Sequence, residues 1–159
     1  MSLIVKSSSF TEGHPIPVDH TEDGEDLSPA LSWSAPPKGT KSFVLIVDDP
    51  DAPVEEPWVH WVVTGIPATA LSLPAGFHEE SLPDQAPEAI VQGRNTWGTV
   101  GYRGPAPPHG HGVHHYHFKL YAVDEALPFS RGVGKHELLE MLSGHVLARG
   151  ELVGTYRRD

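Results

Sequence analysis

Five of the eleven histidines in this 159-residue chain fall in one stretch, Gly101–Asp124, GYRGPAPPHGHGVHHYHFKLYAVD. Imidazole is the side chain that changes charge near neutral pH, accepts or donates a hydrogen bond, and ligates metals. Two further groups could work with it. One is His60, inside the apolar run Trp58–Thr64, WVHWVVT. The other is the carboxylate pair Asp49 and Asp51, in Asp48–Pro53, DDPDAP. Imidazoles and carboxylates together support three chemistries: recognition of an anion, acid–base catalysis, or metal binding.

The elements that must position these groups are legible as patterns. In the second half of the histidine stretch, His114, Tyr116, Phe118, Leu120 and Ala122 share one parity. His115, His117 and Lys119 share the other. Successive strand side chains point to opposite faces, so this reads as a half-buried strand with His114 and Tyr116 on its apolar face. Both lie where the strand leaves a Pro/Gly-rich loop, a polar patch at the lip of a core where a small-ligand pocket would form. Two core residues satisfied by backbone partners are the other reading.

Phe43–Val47 is an unbroken apolar run and reads as a central strand ending in the acidic hexapeptide. Asp49 precedes Pro50 and is biased to extended backbone. The hexapeptide is either an Asx-type turn or a carboxylate pair displayed where a buried strand stops. Trp58–Thr64 reads as the next strand, with His60 sharing the parity of Trp58 and Val62. An imidazole in such a strand needs a partner. The Asp residues closing the preceding strand are candidates, and a carboxylate there would raise the pKa of His60.

Weaker strand signals cover Leu3–Val5, Leu27–Trp33 and Ala89–Gln92. Gly65–Pro74 reads as turns and Leu127–Gly134 as a connection. Lys135–Ser143 places Leu138, Leu139 and Leu142 at helical spacing. His145–Tyr156 alternates as a last strand, and Arg157–Asp159 reads as a solvated tail. The 16 Gly and 16 Pro, spread throughout, suit many short strands joined by turns. The expectation is a mainly β chain forming one domain over residues 1–159.

With 11 basic against 21 acidic residues the net charge is −10, which argues against nucleic acid or an anionic membrane as main partner. A local anion site remains open. No Cys is present, so there is no disulfide framework and no thiol chemistry. The apolar run in MSLIVKSSSF is too short for a signal peptide, and no stretch reaches the roughly 20 apolar residues of a membrane span. A cytoplasmic protein without stable membrane insertion is expected.

DDPDAP, the Trp58/His60 pattern and the Gly101–Asp124 strip, in this order, resemble the phosphatidylethanolamine-binding protein family, also called Raf-kinase-inhibitor-like proteins. LSPALSW and GHVLARGELVGTY are similar to its bacterial branch. The resemblance runs from about Phe10 to Arg157. It implies a Greek-key β-sandwich with one or two short helices and a small anion pocket. Carried over by motif, the pocket residues are Asp49, Pro50, Asp51, Trp58, His60, Pro107, Pro108, Gly110, His114 and Tyr116. The implied ligands are phosphate, a phosphorylated headgroup such as phosphoethanolamine, or a small carboxylate. A protein kinase or protease is the implied regulated partner. In this scheme Asp49 orients and charges His60, and Asp51 holds the loop or meets an ammonium group. Backbone N–H groups around Gly110–Gly112 add donors. The sequence stops soon after its last strand, without residues for the C-terminal helix of mammalian members. That implies a more open pocket, or one covered by another subunit in a homodimer.

Binding without catalysis is the favoured function, and no cofactor is called for. A hydrolase using Asp49, Asp51, His60 and His114 is the alternative, although no G-x-S-x-G elbow or Cys supplies a nucleophile. A zinc or nickel site on the dense histidines is disfavoured, because strand parity separates His114 from His115 and His117.

Overall fold

A computed structural model describes residues 2–126 and 130–159. Eight strands follow in order: β1 (Val5–Lys6), β2 (Leu31–Trp33), β3 (Ser42–Asp49), β4 (Trp58–Pro67), β5 (Ser72–Leu73), β6 (Val91–Gln92), β7 (His114–Val123) and β8 (Val146–Tyr156). One helix, α1 (Lys135–Leu142), lies between β7 and β8, and Val18–His20 form a 3-10 turn. The named strands pair antiparallel in two sheets, β1-β2-β5 and β6-β4-β3-β7-β8. The order β7-β3-β4-β6 is that of a Greek key, with β5 diverted to the other sheet on the way from β4 to β6. The fold is thus mainly β, as the sequence implies. The stretch Leu127–Gly134, expected to be a connection, falls partly outside the described residues.

The unbroken apolar run of β3 is explained by burial on both faces. Phe43, Leu45 and Val47 enter the core between the sheets, with Trp33, Phe118 and Leu120. Val44 and Ile46 meet a second core under α1, with Val62, Leu138 and Leu142. Each such side chain stabilises the fold by roughly 1.5–3 kcal/mol. Leu138 and Leu142 lie one turn apart and face this core, whereas Leu139 is exposed, so the helical stripe is narrower than the three leucines suggested. In β7 the expected alternation holds, with His114, Tyr116, Phe118 and Leu120 buried. No helix among the described residues is long and apolar enough to cross a membrane.

Strand β4 departs from simple alternation twice. Pairing with β3 runs from Phe43–Ile66 to Leu45–Val63, and again from Val47–Trp61 to Asp48–Val59. Each step leaves one extra residue on β4, a β-bulge. The second bulge contains His60. It breaks the expected parity of His60 with Val62: Val62 packs under α1, while His60 turns toward Tyr116. Gly65 lies at the first bulge with φ +72°. A Cβ there would meet the carbonyl oxygen of Ala89 far inside contact distance. Gly65→Ala therefore combines a left-handed backbone with a main-chain clash, and should cost at least about 1–3 kcal/mol. The check is a lowered urea midpoint; an unchanged midpoint would contradict the bulge geometry.

Candidate functional site

The C-terminal end of β3 and the N-terminal ends of β4 and β7 meet at one edge of the larger sheet. They surround a depression of about 220 Å3. Of the ten residues expected from sequence, Asp49, Trp58, His60, Pro107, Pro108, His114 and Tyr116 line it. Pro50, Asp51 and Gly110 do not; all three are exposed in the flanking turns. Trp97, Val54, Ala52, Pro53 and Ala106 complete the wall.

Asp49 is 3% exposed, and both its oxygens are engaged. Oδ1 accepts the backbone N–H of Asp51 at 2.8 Å, the Asx turn read from the hexapeptide. Oδ2 lies 2.6 Å from Nδ1 of His114. The expected pairing of Asp49 with His60 is therefore corrected. β3 lies between β4 and β7, so its terminal carboxylate had an imidazole available on either neighbour. The hydrogen bond goes to the β7 side.

His60 is instead held by the main chain. Its Nδ1 donates to the carbonyl of Arg103 at 2.6 Å. Its ring sits edge-on to Trp97 and Tyr116, with centroids 4.9 and 5.1 Å away. Burial pushes His60 below its ordinary pKa; the Arg103 carbonyl and the Asp49 charge work upward without reversing this. The expected imidazolium is thus a neutral ring with a lone pair on Nε2.

The Tyr116 hydroxyl is fully buried and has no hydrogen-bond partner among the described residues. Burial, and after it the Asp49 charge, push its ionisation far above the usual phenol range, so it remains an O–H donor. Unpartnered buried hydroxyls are uncommon, and each calls for an explanation.

Asp51 lies outside the depression and closes the loop against β7, through the backbone N–H and Nδ1 of His115, both at 2.8 Å. Burial alone would raise its pKa, but these two bonds outweigh it and hold the carboxyl low. The amides of Gly110 and His111 are not free, since they donate to Arg158 and Pro108 carbonyls. Nor do the histidines of the strip converge on a metal: His115 pairs with Asp51, His117 with Glu151, and His111 with His114.

Sequence reasoning missed four contributors. Trp97 meets the His60 ring at a near right angle and carries the Arg103 guanidinium 4.4 Å over its own ring. The Arg103 carbonyl fixes the His60 tautomer. His111 meets the far nitrogen of His114. Arg158, expected in a solvated tail, pairs with Asp23 at 2.8 Å and holds the Pro107 carbonyl. A tryptophan in the glycine-rich approach to the histidine strip was the available signal for Trp97; the carbonyl contact had none. A neighbouring depression of about 450 Å3 shares Trp58 and Val54 but runs toward Lys135 and contains neither imidazole.

A family model described as phosphatidylethanolamine-binding protein matches residues 6–157. The chain belongs to that family. A UPF0098 protein of Methanothermobacter thermautotrophicus is 46% identical over 97% of this chain and 98% of its own. The solved structure of Escherichia coli YbcL, described as a new member of the mammalian PEBP family, superposes with a TM-score of 0.92 at 34% identity, covering all of both chains. The putative PEBP homologue CT736 of Chlamydia trachomatis gives a TM-score of 0.87 at 40% identity, over 99% of each chain. These relatives of a phosphatidylethanolamine-binding-family chain are archaeal and bacterial.

The neutral state of His60 has a measurable consequence. Above about pH 6.5, the ordinary value in an unfolded chain, the ring is neutral folded and unfolded and adds no pH dependence. Below it, the unfolded chain takes up a proton that the buried ring resists, so stability falls with pH down to the lowered folded value. An NMR titration should show the His60 ring protonating below about pH 6.5. A midpoint above that would mean that a carboxylate governs this ring after all.

Proposed function

We propose that this protein binds a small oxyanion in the depression between His60, His114 and Tyr116, namely phosphate, a phosphorylated headgroup such as phosphoethanolamine, or a small carboxylate. The unpartnered Tyr116 hydroxyl carries the reading. It is a neutral donor that finds no acceptor among the described residues, on a side chain that borders the depression together with two imidazoles. The lone pair of His60 Nε2 suits a protonated oxygen of the same ligand, a P–OH or an acid O–H. The Asp49 charge does not repel the ligand in full, because its two oxygens already accept two N–H groups.

The walls of Trp58, Trp97, Pro107 and Val54 are apolar. Hydrogen bonds to an oxyanion strengthen where such walls exclude water. The volume lies under the roughly 300–1,000 Å3 usual for larger ligands, so a headgroup-sized molecule fits better than a whole lipid. Family membership is consistent with this class of ligand and is the sole support for regulation of a kinase or protease. Hydrolysis ranks second: the Asp49–His114 pair is the geometry of a base and its orienting carboxylate, but no Ser, Thr or Cys lines the depression.

Titration with inorganic phosphate, followed by calorimetry and by NMR shifts at His60, His114 and Tyr116, tests the proposal. Saturable shifts without turnover of phosphate esters are expected. His114→Ala should abolish binding or reduce it sharply. Tyr116→Phe should weaken it up to about tenfold while raising stability by about 1 kcal/mol, since it removes a buried hydroxyl that has no partner. Full binding by His114→Ala would overturn the site.

A further inference from the structure

His114 borders the pocket, yet both of its ring nitrogens are already engaged. Nδ1 meets Asp49 Oδ2 at 2.6 Å, so it carries the proton that the carboxylate accepts. Nε2 meets Nδ1 of His111, also at 2.6 Å. At that separation two lone pairs repel and two N–H groups clash, so one proton must lie between the two rings. While that contact stands, His114 has no N–H to offer an anion.

We propose that His111 is a built-in occupant of the ligand's place at His114, and that an oxyanion binds by displacing it. The proposal rests on the pocket being an anion site, and it adds the residue that controls access to it. Asp49 and His114 are buried, whereas His111 is exposed and not among the residues lining the depression. Its side chain makes its one hydrogen bond, among the described residues, to His114. Its loop carries Gly110 at φ +72° and Gly112 at φ +97°, with open space beside both. Swinging the imidazole into water breaks one side-chain hydrogen bond and one ring contact, that with His114, whose centroid lies 4.8 Å away. The stationary half of the pair is the half tied to Asp49.

Displacement moves a proton in a defined direction. With both rings neutral, His111 donates to the Nε2 lone pair of His114. When an anion takes that position, His114 must itself donate from Nε2, so the ring takes up one proton and becomes an imidazolium held by Asp49. At low pH a second proton on the pair puts N–H against N–H, and His111 leaves without any ligand. The charged and titratable groups around the pair are Asp49 at the end of β3, Asp51 in the turn after it, His60 from β4, Tyr116 and His115 from β7, and Arg158 after β8.

The experiment compares the full-length protein with its His111→Ala and His114→Ala variants, using inorganic phosphate at pH 7.5 and pH 5.5. Calorimetry in two buffers of different ionisation heat counts the protons. The expectation is that His111→Ala binds phosphate about three- to tenfold more tightly than the parent at pH 7.5, the loss of one competing hydrogen bond. The gap should shrink at pH 5.5, and binding at pH 7.5 should take up a proton. Equal or weaker binding by His111→Ala at pH 7.5 overturns the displacement, as does binding without proton uptake. Imidazole nitrogen shifts without ligand supply a second readout: His114 Nε2 should move on His111→Ala. If that shift appears but neither protein binds phosphate at either pH, the pair exists and the anion-site reading is the part that fails, taking displacement with it. If phosphate binds but the ligand-free shift is absent, the pocket stands and the latch falls.

Discussion

Two adjacent carboxylates at the end of a strand buried on both faces impose most of what surrounds them. Asp48 and Asp49 terminate β3 and point to opposite sides of the larger sheet. A buried carboxylate without partners would be far too costly, so each side must supply donors. On the side facing β1-β2-β5, Asp49 takes the Asp51 amide and His114. On the other side, Asp48 draws Lys119 of β7 and Lys135, the first residue of α1, to the same oxygen at 3.2 and 2.8 Å. One dipeptide thus ties the turn after β3, the start of β7 and the start of the helix together. The pocket is a by-product of the Asp49 half of this arrangement.

Two imidazoles in one small space then acquire different characters from their partners. His60 is buried beside aromatic rings, and that burial keeps it neutral against the upward pull of the Arg103 carbonyl. His114 meets a carboxylate on one side and a second imidazole on the other. With Tyr116 as a fixed hydroxyl donor, the pocket can present donors and an acceptor together. That set suits an oxyacid that has kept a proton better than a bare dianion, whose every oxygen would seek a donor.

The framework was legible in the sequence because it rests on periodicity. The doubly buried run of β3, the alternation of β7 and the leucines of α1 follow from which faces are covered. The motif order pointed to the pocket for the same reason: β3, β4 and β7 are neighbours, so the ends of their apolar faces meet. Alternation could not reveal the bulge at His60, since a single inserted residue leaves no mark in composition when its flanks are all apolar. The partner of Asp49 was not legible either. His60 and His114 are both one strand away, and the choice depends on side-chain direction across a bulge. β5, two residues long inside a turn-rich segment, carries no periodic signal at all.

The misread tail shows a further limit, and a physical one. Charged residues after a last strand ordinarily read as solvated, yet Arg158 bridges Asp23, the Pro107 carbonyl and the Gly110 amide. Tyr156 reaches the same Asp23 at 2.8 Å. The Gly104 amide is in turn held by Asp26. The Pro107–Gly110 wall is therefore fixed by residues from the first sixth and the last few positions of the chain. None of those contacts is local, so each carries the entropic cost of closing a long loop. The strand ends are brought together by sheet pairing, whereas the wall over them depends on residues near both termini.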